Sequence, residues 1–107
     1  MVNIDEYQSA CLRTAGQYDH HSMLVNGALG ITGESGECAD IVKKTVYQGH
    51  KLDTKHLKEE LGDVCWYIAL LATAIDVDLS DVLESNINKL KKRYPDGFDC
   101  EKSINRE

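Results

Sequence analysis

Gly33-Glu34-Ser35-Gly36-Glu37 and, further along the chain, Glu59-Glu60-Leu61-Gly62-Asp63 share one arrangement. Each holds two carboxylates three residues apart, Glu34 with Glu37 and Glu60 with Asp63. On a helix, residues at that spacing lie on one side, a turn apart. Two such helices laid side by side would gather four carboxylates at one place. Charges that close repel strongly. A divalent cation between them would relieve the repulsion, and oxygen-only ligands suit Mg²⁺ or Mn²⁺ better than zinc.

The sequence around these stretches predicts helices. Asn3 to Ala15 places Ile4, Tyr7, Cys11 and Ala15 at helical spacing, with Asp5 and Glu6 early. The polar segment from Gly16 to His21 reads as a connection. Ser22 is expected to cap a second helix running to about Gln48, with an apolar stripe of Leu24, Ala28, Ile31, Ser35, Cys38, Val42 and Val46. Gly27, Gly30, Gly33 and Gly36 recur in it at every third position. Each interior glycine costs roughly 0.8–1 kcal/mol against alanine. The series therefore implies a compensating close approach of a neighbouring helix or a phosphate; the rival reading is a break near Gly30–Gly33.

Asp53 or Thr54 is expected to cap a third helix reaching about Ile75. Its stripe of Leu57, Leu61, Val64, Ile68, Leu71 and Ile75 has bundle-type spacing. Glu60, Asp63 and Tyr67 fall about 90° to one side of that stripe. Trp66 and Ala69 fall on the far side, so the helix is apolar nearly all round beyond Val64. A helix of that kind needs burial on every face, which predicts a homo-oligomer with this helix at an interface. Ser80 is expected to cap a fourth helix with Leu83, Ile87, Leu90 and Tyr94 as its stripe. Asn86, Lys89 and Arg93 lie on its other side, and Pro95 ends it. The expected architecture is all-α, an antiparallel four-helix bundle that oligomerises. One domain covers 1–98, followed by a loose polar tail over 99–107.

Composition narrows the function classes. A chain of 107 residues suits one modest core. With one proline and seven aromatics it fits helices better than strands. The net charge of −6 argues against non-specific nucleic-acid binding, and an anionic substrate would need a metal and a local cluster of cations. Cys11, Cys38, Cys65 and Cys100 form no Cys-x-x-Cys pair, which argues against zinc and for a reducing, cytoplasmic setting. The apolar run from Val64 to Ile75 is too short to span a bilayer, so no membrane partner is expected.

Gly33-Glu34-Ser35-Gly36-Glu37, Glu59-Glu60-Leu61-Gly62-Asp63-Val64 with Trp66-Tyr67, and Asn86 with Lys89-Leu90-Lys91-Lys92-Arg93-Tyr94-Pro95-Asp96-Gly97-Phe98 together resemble the MazG-type all-α nucleoside triphosphate pyrophosphohydrolases. The resemblance runs from about Leu24 to Phe98 and fits the small single-domain members. Where the family often has a second acid before the first motif glutamate, this chain has Gly33. The resemblance implies a helical bundle that forms a homodimer or homotetramer. It implies Mg²⁺, with Mn²⁺ as a substitute, held by Glu34, Glu37, Glu60 and Asp63. It also implies hydrolysis of a nucleoside triphosphate between its α- and β-phosphates, yielding a monophosphate and pyrophosphate.

The residues themselves agree with such chemistry. A cation would bridge the acids and the anionic phosphates and acidify a water, and Glu34 or Glu37 could take that water's proton. Lys89 and Arg93 suit the phosphate tail. Tyr67 is placed to stack on a base, and Asn86 to hydrogen-bond base or sugar. Tyr18, His20 and His21 lie in the first connection, where a loop could close over a nucleotide. Two rivals remain open: a phosphoribosyl-ATP pyrophosphohydrolase, and a non-catalytic helical oligomer that binds nucleotides. A ferritin-like di-metal oxidase needs Glu-x-x-His motifs, and the chain contains none.

Overall fold

The computed structural model describes residues 1–16 and 18–106. Gln17, in the expected first connection, and Glu107, at the end of the expected tail, lie outside the described residues. Five helices make up the described chain: α1 (Ile4–Leu12), α2 (His20–Tyr47), α3 (Thr54–Ala74), α4 (Leu79–Arg93) and α5 (Cys100–Ile104). No strand occurs among the described residues. The chain is all-α, as the periodicity predicts.

Short polar side chains start most of these helices by accepting an orphan backbone N–H. Asn3 accepts from Glu6, Asp53 from His56 and Asp99 from Lys102. Asp19, not Ser22, caps α2, its Oδ1 accepting from the Ser22 amide at 2.8 Å. The helix therefore begins earlier than expected. His20 and His21 belong to its first turn, and His20 Nε2 lies 3.0 Å from Asp76 Oδ1 at the far end of α3. The two histidines are not on a loop that closes over a ligand. At α4 the cap position is Asp78, without a side-chain cap bond, and Ser80 instead donates to Asp5 Oδ1 at 2.9 Å. Gln8 of α1 ties this corner together: its Oε1 accepts from the Leu79 amide at 2.7 Å, and its Nε2 donates to Val77 O and Thr73 Oγ1.

α2 runs unbroken through all four glycines. It packs antiparallel on α3, and two of the glycines set the contact. A Cβ built on Gly27 would sit 3.0 Å from Leu71 Cβ, and one built on Gly30 would overlap the ring of Tyr67. The face that meets α3 is therefore rotated from the expected stripe. Gly27 is buried, while Gly30, Ile31, Glu34, Cys38 and Ile41 are half-buried. Leu24, Ala28, Val42 and Val46 are exposed. Backbone contact at glycine outweighed the larger apolar side chains beside it, because packing needs surfaces that fit.

The core is small and lies between α1, α3 and the start of α4. Its buried apolar residues are Cys11, Ala15, Ala69, Leu70, Ala72, Ala74 and Leu79. Tyr7, Trp66 and Ile68 pack against it. α1 thus covers the far side of α3, and Trp66 Nε1 donates to Thr14 Oγ1 at 2.9 Å. Burial within the chain satisfies much of the face that the periodicity assigned to an oligomer interface.

α4 is different. Past Leu79 and Ser80 it is exposed as far as Lys92, including Leu83, Ile87 and Leu90. A compact domain of this length has a radius of gyration of about 13 Å; here it is 16.8 Å. A single chain leaves the expected four-helix bundle open on this side. The expected loose tail is partly helical, as α5.

The glycine contacts separate two otherwise similar substitutions. Gly30→Ala forces a methyl into Tyr67 and is expected to cost roughly 1–3 kcal/mol. Gly33→Ala meets nothing within 4 Å and is expected to gain up to about 1 kcal/mol from helix propensity. Urea denaturation followed by far-ultraviolet circular dichroism checks the pair. A loss for Gly33→Ala as large as for Gly30→Ala would contradict the open face drawn for α2.

Candidate metal and nucleotide site

The antiparallel packing that places Gly30 on Tyr67 carries Glu34, one turn further along α2, to Glu60 and Asp63 on α3. One carboxylate oxygen from each of Glu34, Glu60 and Asp63 lies within 4.8 Å of the others. Glu37, the fourth expected member, is exposed and outside this group of three. Its charge still reaches the cluster, since it helps to raise the pKa of Glu34.

Glu60 is well enclosed, with its side chain only 14% exposed. His56, one turn earlier on α3, approaches Glu60 Oε1 with Nε2 at 3.1 Å. Glu60 Oε2 is buried and has no hydrogen-bond partner. A buried carboxylate oxygen without a donor is costly. The carboxyl of Glu34 lies beside it. A hydrogen bond to Glu60, then burial, then the charges of Glu60, Asp63 and Glu37 push the Glu34 carboxyl up to about 7. Neighbouring negative charge disfavours ionisation of Glu34, so it keeps its proton to a higher pH. A divalent cation would replace that proton and satisfy Oε2. The donor set is all carboxylate oxygen, drawn from two rigid helices, and it fits a hard cation such as Mg²⁺ or Mn²⁺.

Beside the acids lies an open cavity of about 350 Å³ lined by Thr14, Glu34, Asp63, Trp66 and Tyr67. Trp66 and Tyr67 meet edge to face, with ring centroids 5.0 Å apart. The cavity therefore joins an acidic edge to an aromatic wall. Among the described residues no cation lines it. Lys89 and Arg93 line a separate cleft with the C-terminal tail, and Asn86 shares a shallow groove on α4 with Val82 and Lys89. None of these three residues lines the acidic cavity of its own chain. Lys43 and Lys44 are engaged with Asp40, at 3.6 and 2.8 Å.

Two contributors were not anticipated from sequence. His56 reads as an ordinary surface residue, although its i, i+4 spacing to Glu60 is the signal that marks it. Thr14 becomes a lining residue only because α1 folds over Trp66.

Residues 22–98 match the family model described as the MazG nucleotide pyrophosphohydrolase domain. The chain is also similar to the Gene 37 protein of Mycobacterium phage L5, at 39% identity over 105 residues, spanning 90% of this chain and 92% of that protein. No solved structure matches the chain. Among the described residues, no helix is long and apolar enough to cross a membrane.

The proton held by Glu34 makes stability depend on pH, and a cation taking its place would add a dependence on metal. Folding raises Glu34 from an ordinary value near 4.5 to about 7. Its contribution to stability is then fully present below the lower value and is lost as pH rises through the upper one. Without metal, the melting temperature is expected to fall between about pH 5 and 8. Millimolar Mg²⁺ should raise it most at the alkaline end, because the cation competes with the proton. Differential scanning calorimetry at a series of pH values, with EDTA or Mg²⁺, checks this. A metal response as large at pH 5 as at pH 8 would contradict the proton on Glu34.

Proposed function

Because the chain belongs to the MazG nucleotide pyrophosphohydrolase domain family, we propose that it hydrolyses a nucleoside triphosphate between the α- and β-phosphates, releasing a nucleoside monophosphate and pyrophosphate, with Mg²⁺ as its cation and Mn²⁺ as a substitute. The observation that carries this reading is the convergence of Glu34, Glu60 and Asp63 beside a cavity walled by Tyr67 and Trp66.

In this reading Glu34, Glu60 and Asp63 hold the cation, and Glu37 joins them or stands one turn away. A cation bound there supplies charge neutralisation for the phosphates and a lowered pKa for a water. His56 keeps the Glu60 carboxylate turned toward the cluster through its bond to Oε1. Of the two candidate bases, Glu37 is the better placed to accept the proton, because it stays outside the group that encloses the cation. Tyr67 stacks on the base, with Trp66 holding its ring at a right angle.

Asn86, Lys89 and Arg93 are assigned to the sugar and the phosphate tail. In one chain Asn86 and Lys89 are exposed on α4, Arg93 is half-buried at its end, and none of the three lines the acidic cavity, so the assignment goes with a homodimer or homotetramer. In that assembly α4 would lie on a neighbouring copy, cover its own exposed Leu83, Ile87 and Leu90, and close the four-helix bundle. The exposed stripe and the large radius of gyration support that arrangement.

Incubation with a panel of nucleoside triphosphates and Mg²⁺, with the products identified, tests the function. Monophosphate and pyrophosphate are expected; orthophosphate and diphosphate would refute the cleavage position. Phosphoribosyl-ATP belongs in the panel as the closest chemical variant. Asp63→Asn should lower turnover by about a hundredfold or more while keeping helix content and assembly, since it removes a charged ligand. Unchanged turnover in Asp63→Asn would remove that residue from the site.

A further inference from the structure

Trp66 and Tyr67 are neighbours on α3, yet different parts of the chain hold them. The Tyr67 ring packs on Gly30 of α2. Trp66 is held by the turn that follows α1, where its Nε1 donates to Thr14 Oγ1 at 2.9 Å. Thr14 is itself anchored. Its amide and its hydroxyl both donate to Cys11 O, each at 3.1 Å. Cys11 before it and Ala15 after it are buried.

The two hydrogen bonds of the Thr14 side chain set its direction. Its hydrogen goes to Cys11 O, which leaves the lone pairs to accept from the indole. The other restraints on the half-buried Trp66 ring are apolar, against the cluster of Cys11, Ala69 and Leu79 and against Tyr67. Apolar contact is non-directional, so the angle of the ring depends on Thr14. An indole has one polar group, a donor. With that donor engaged, Trp66 offers an occupant of the cavity only ring surface. The Trp66 and Tyr67 rings stand at 85° to each other. A corner of that shape takes a flat aromatic group face-on to one ring and edge-on to the other. The angle of Trp66 then sets how a base lies relative to Glu34 and Asp63, which line the same cavity. Thr14 also precedes residue 22, where the match to the family model begins. The restraint comes from a part of this chain that the match does not include.

We propose that Thr14 is a positioning residue for the nucleobase. Its hydroxyl holds the Trp66 ring as one wall of a two-ring corner, and the turn after α1 is thereby part of the nucleotide site. The proposal rests on the reading that the cavity takes a nucleotide, and its test reads binding without turnover.

Trp66 is the only tryptophan of the chain, so its fluorescence reports on this wall directly. AMP, GMP, CMP and UMP are titrated into the full chain with Mg²⁺, followed by that fluorescence and by calorimetry. The wild-type protein is expected to bind at least one of them with quenching of Trp66. Thr14→Val should weaken that binding about three- to tenfold, the range of one neutral hydrogen bond. Without metal or nucleotide, its tryptophan anisotropy should be lower than that of the wild type. Thr14→Ser, which restores the hydroxyl, should recover most of the affinity. Pyrophosphate carries no base and should bind Thr14→Val and the wild type equally. In a Trp66→Phe background, Thr14→Val should cost nothing more, because no indole N–H is left to hold. Equal nucleotide affinity in Thr14→Val and the wild type, an equal loss for pyrophosphate, a full further loss in the Trp66→Phe background, or no recovery in Thr14→Ser would overturn the proposal. A wild type that turns over triphosphates without any change in Trp66 fluorescence on binding would overturn it and leave the hydrolase reading standing. A Thr14-dependent nucleotide affinity in a protein without turnover would support it and fail the hydrolase reading. Circular dichroism of the variants checks that each remains folded.

Discussion

Where Gly27 and Gly30 meet Leu71 and Tyr67, α2 and α3 lie closer than most side chains allow. That approach fixes the rotation of α2 about its own axis. With Gly30 against Tyr67, Glu34 must face α3 one turn later, at the level of Glu60 and Asp63. A wider separation, or a rotation of one residue, would send Glu34 into solvent and dissolve the cluster. The helix-propensity cost of these glycines is therefore tied to the geometry of the acids. Gly33 and Gly36 make no such contact within the chain.

The acids in turn oppose the packing that assembles them. A half-buried Glu60 with one oxygen unpartnered, and a Glu34 that holds its proton up to about 7, describe a site under electrostatic stress. His56 relieves one oxygen only. Stress of this kind is ordinary at functional sites, where local stability gives way to chemistry. The remedy that matches the donor atoms is a small divalent cation. Among the described residues no cation lines the acidic cavity, and the proposed reading draws its cations from α4, which extends from the small core with its apolar stripe exposed.

Much of this was legible in the chain itself. The helices followed from apolar spacing and, for α3, from the cap expected at Asp53 or Thr54. Two pairs at i, i+3 pointed to four acids, of which the fold gathers Glu34, Glu60 and Asp63 and leaves Glu37 outside, and the match to a nucleotide pyrophosphohydrolase family agrees with the resemblance those motifs carry. The face of α2 was harder to read, because periodicity weighs Leu24 and Val42 above glycine while packing favours close fit. The far side of α3 looked like an interface because a single-helix view does not show α1 lying across Trp66 and Ala69. His56 gave only a weak spacing signal, and its role depends on Glu60 being buried. The tail showed polar residues without periodicity. Its helix depends on the turn at Gly97 and the cap at Asp99.

The central claim is that Glu34, Glu60 and Asp63 share one ion. Diffraction from crystals grown with Mn²⁺, recorded for anomalous scattering, tests it most directly. The account predicts an anomalous peak within about 2.5 Å of a carboxylate oxygen from each of the three residues. A map without a peak there, with the three side chains directed away from one another, would contradict it.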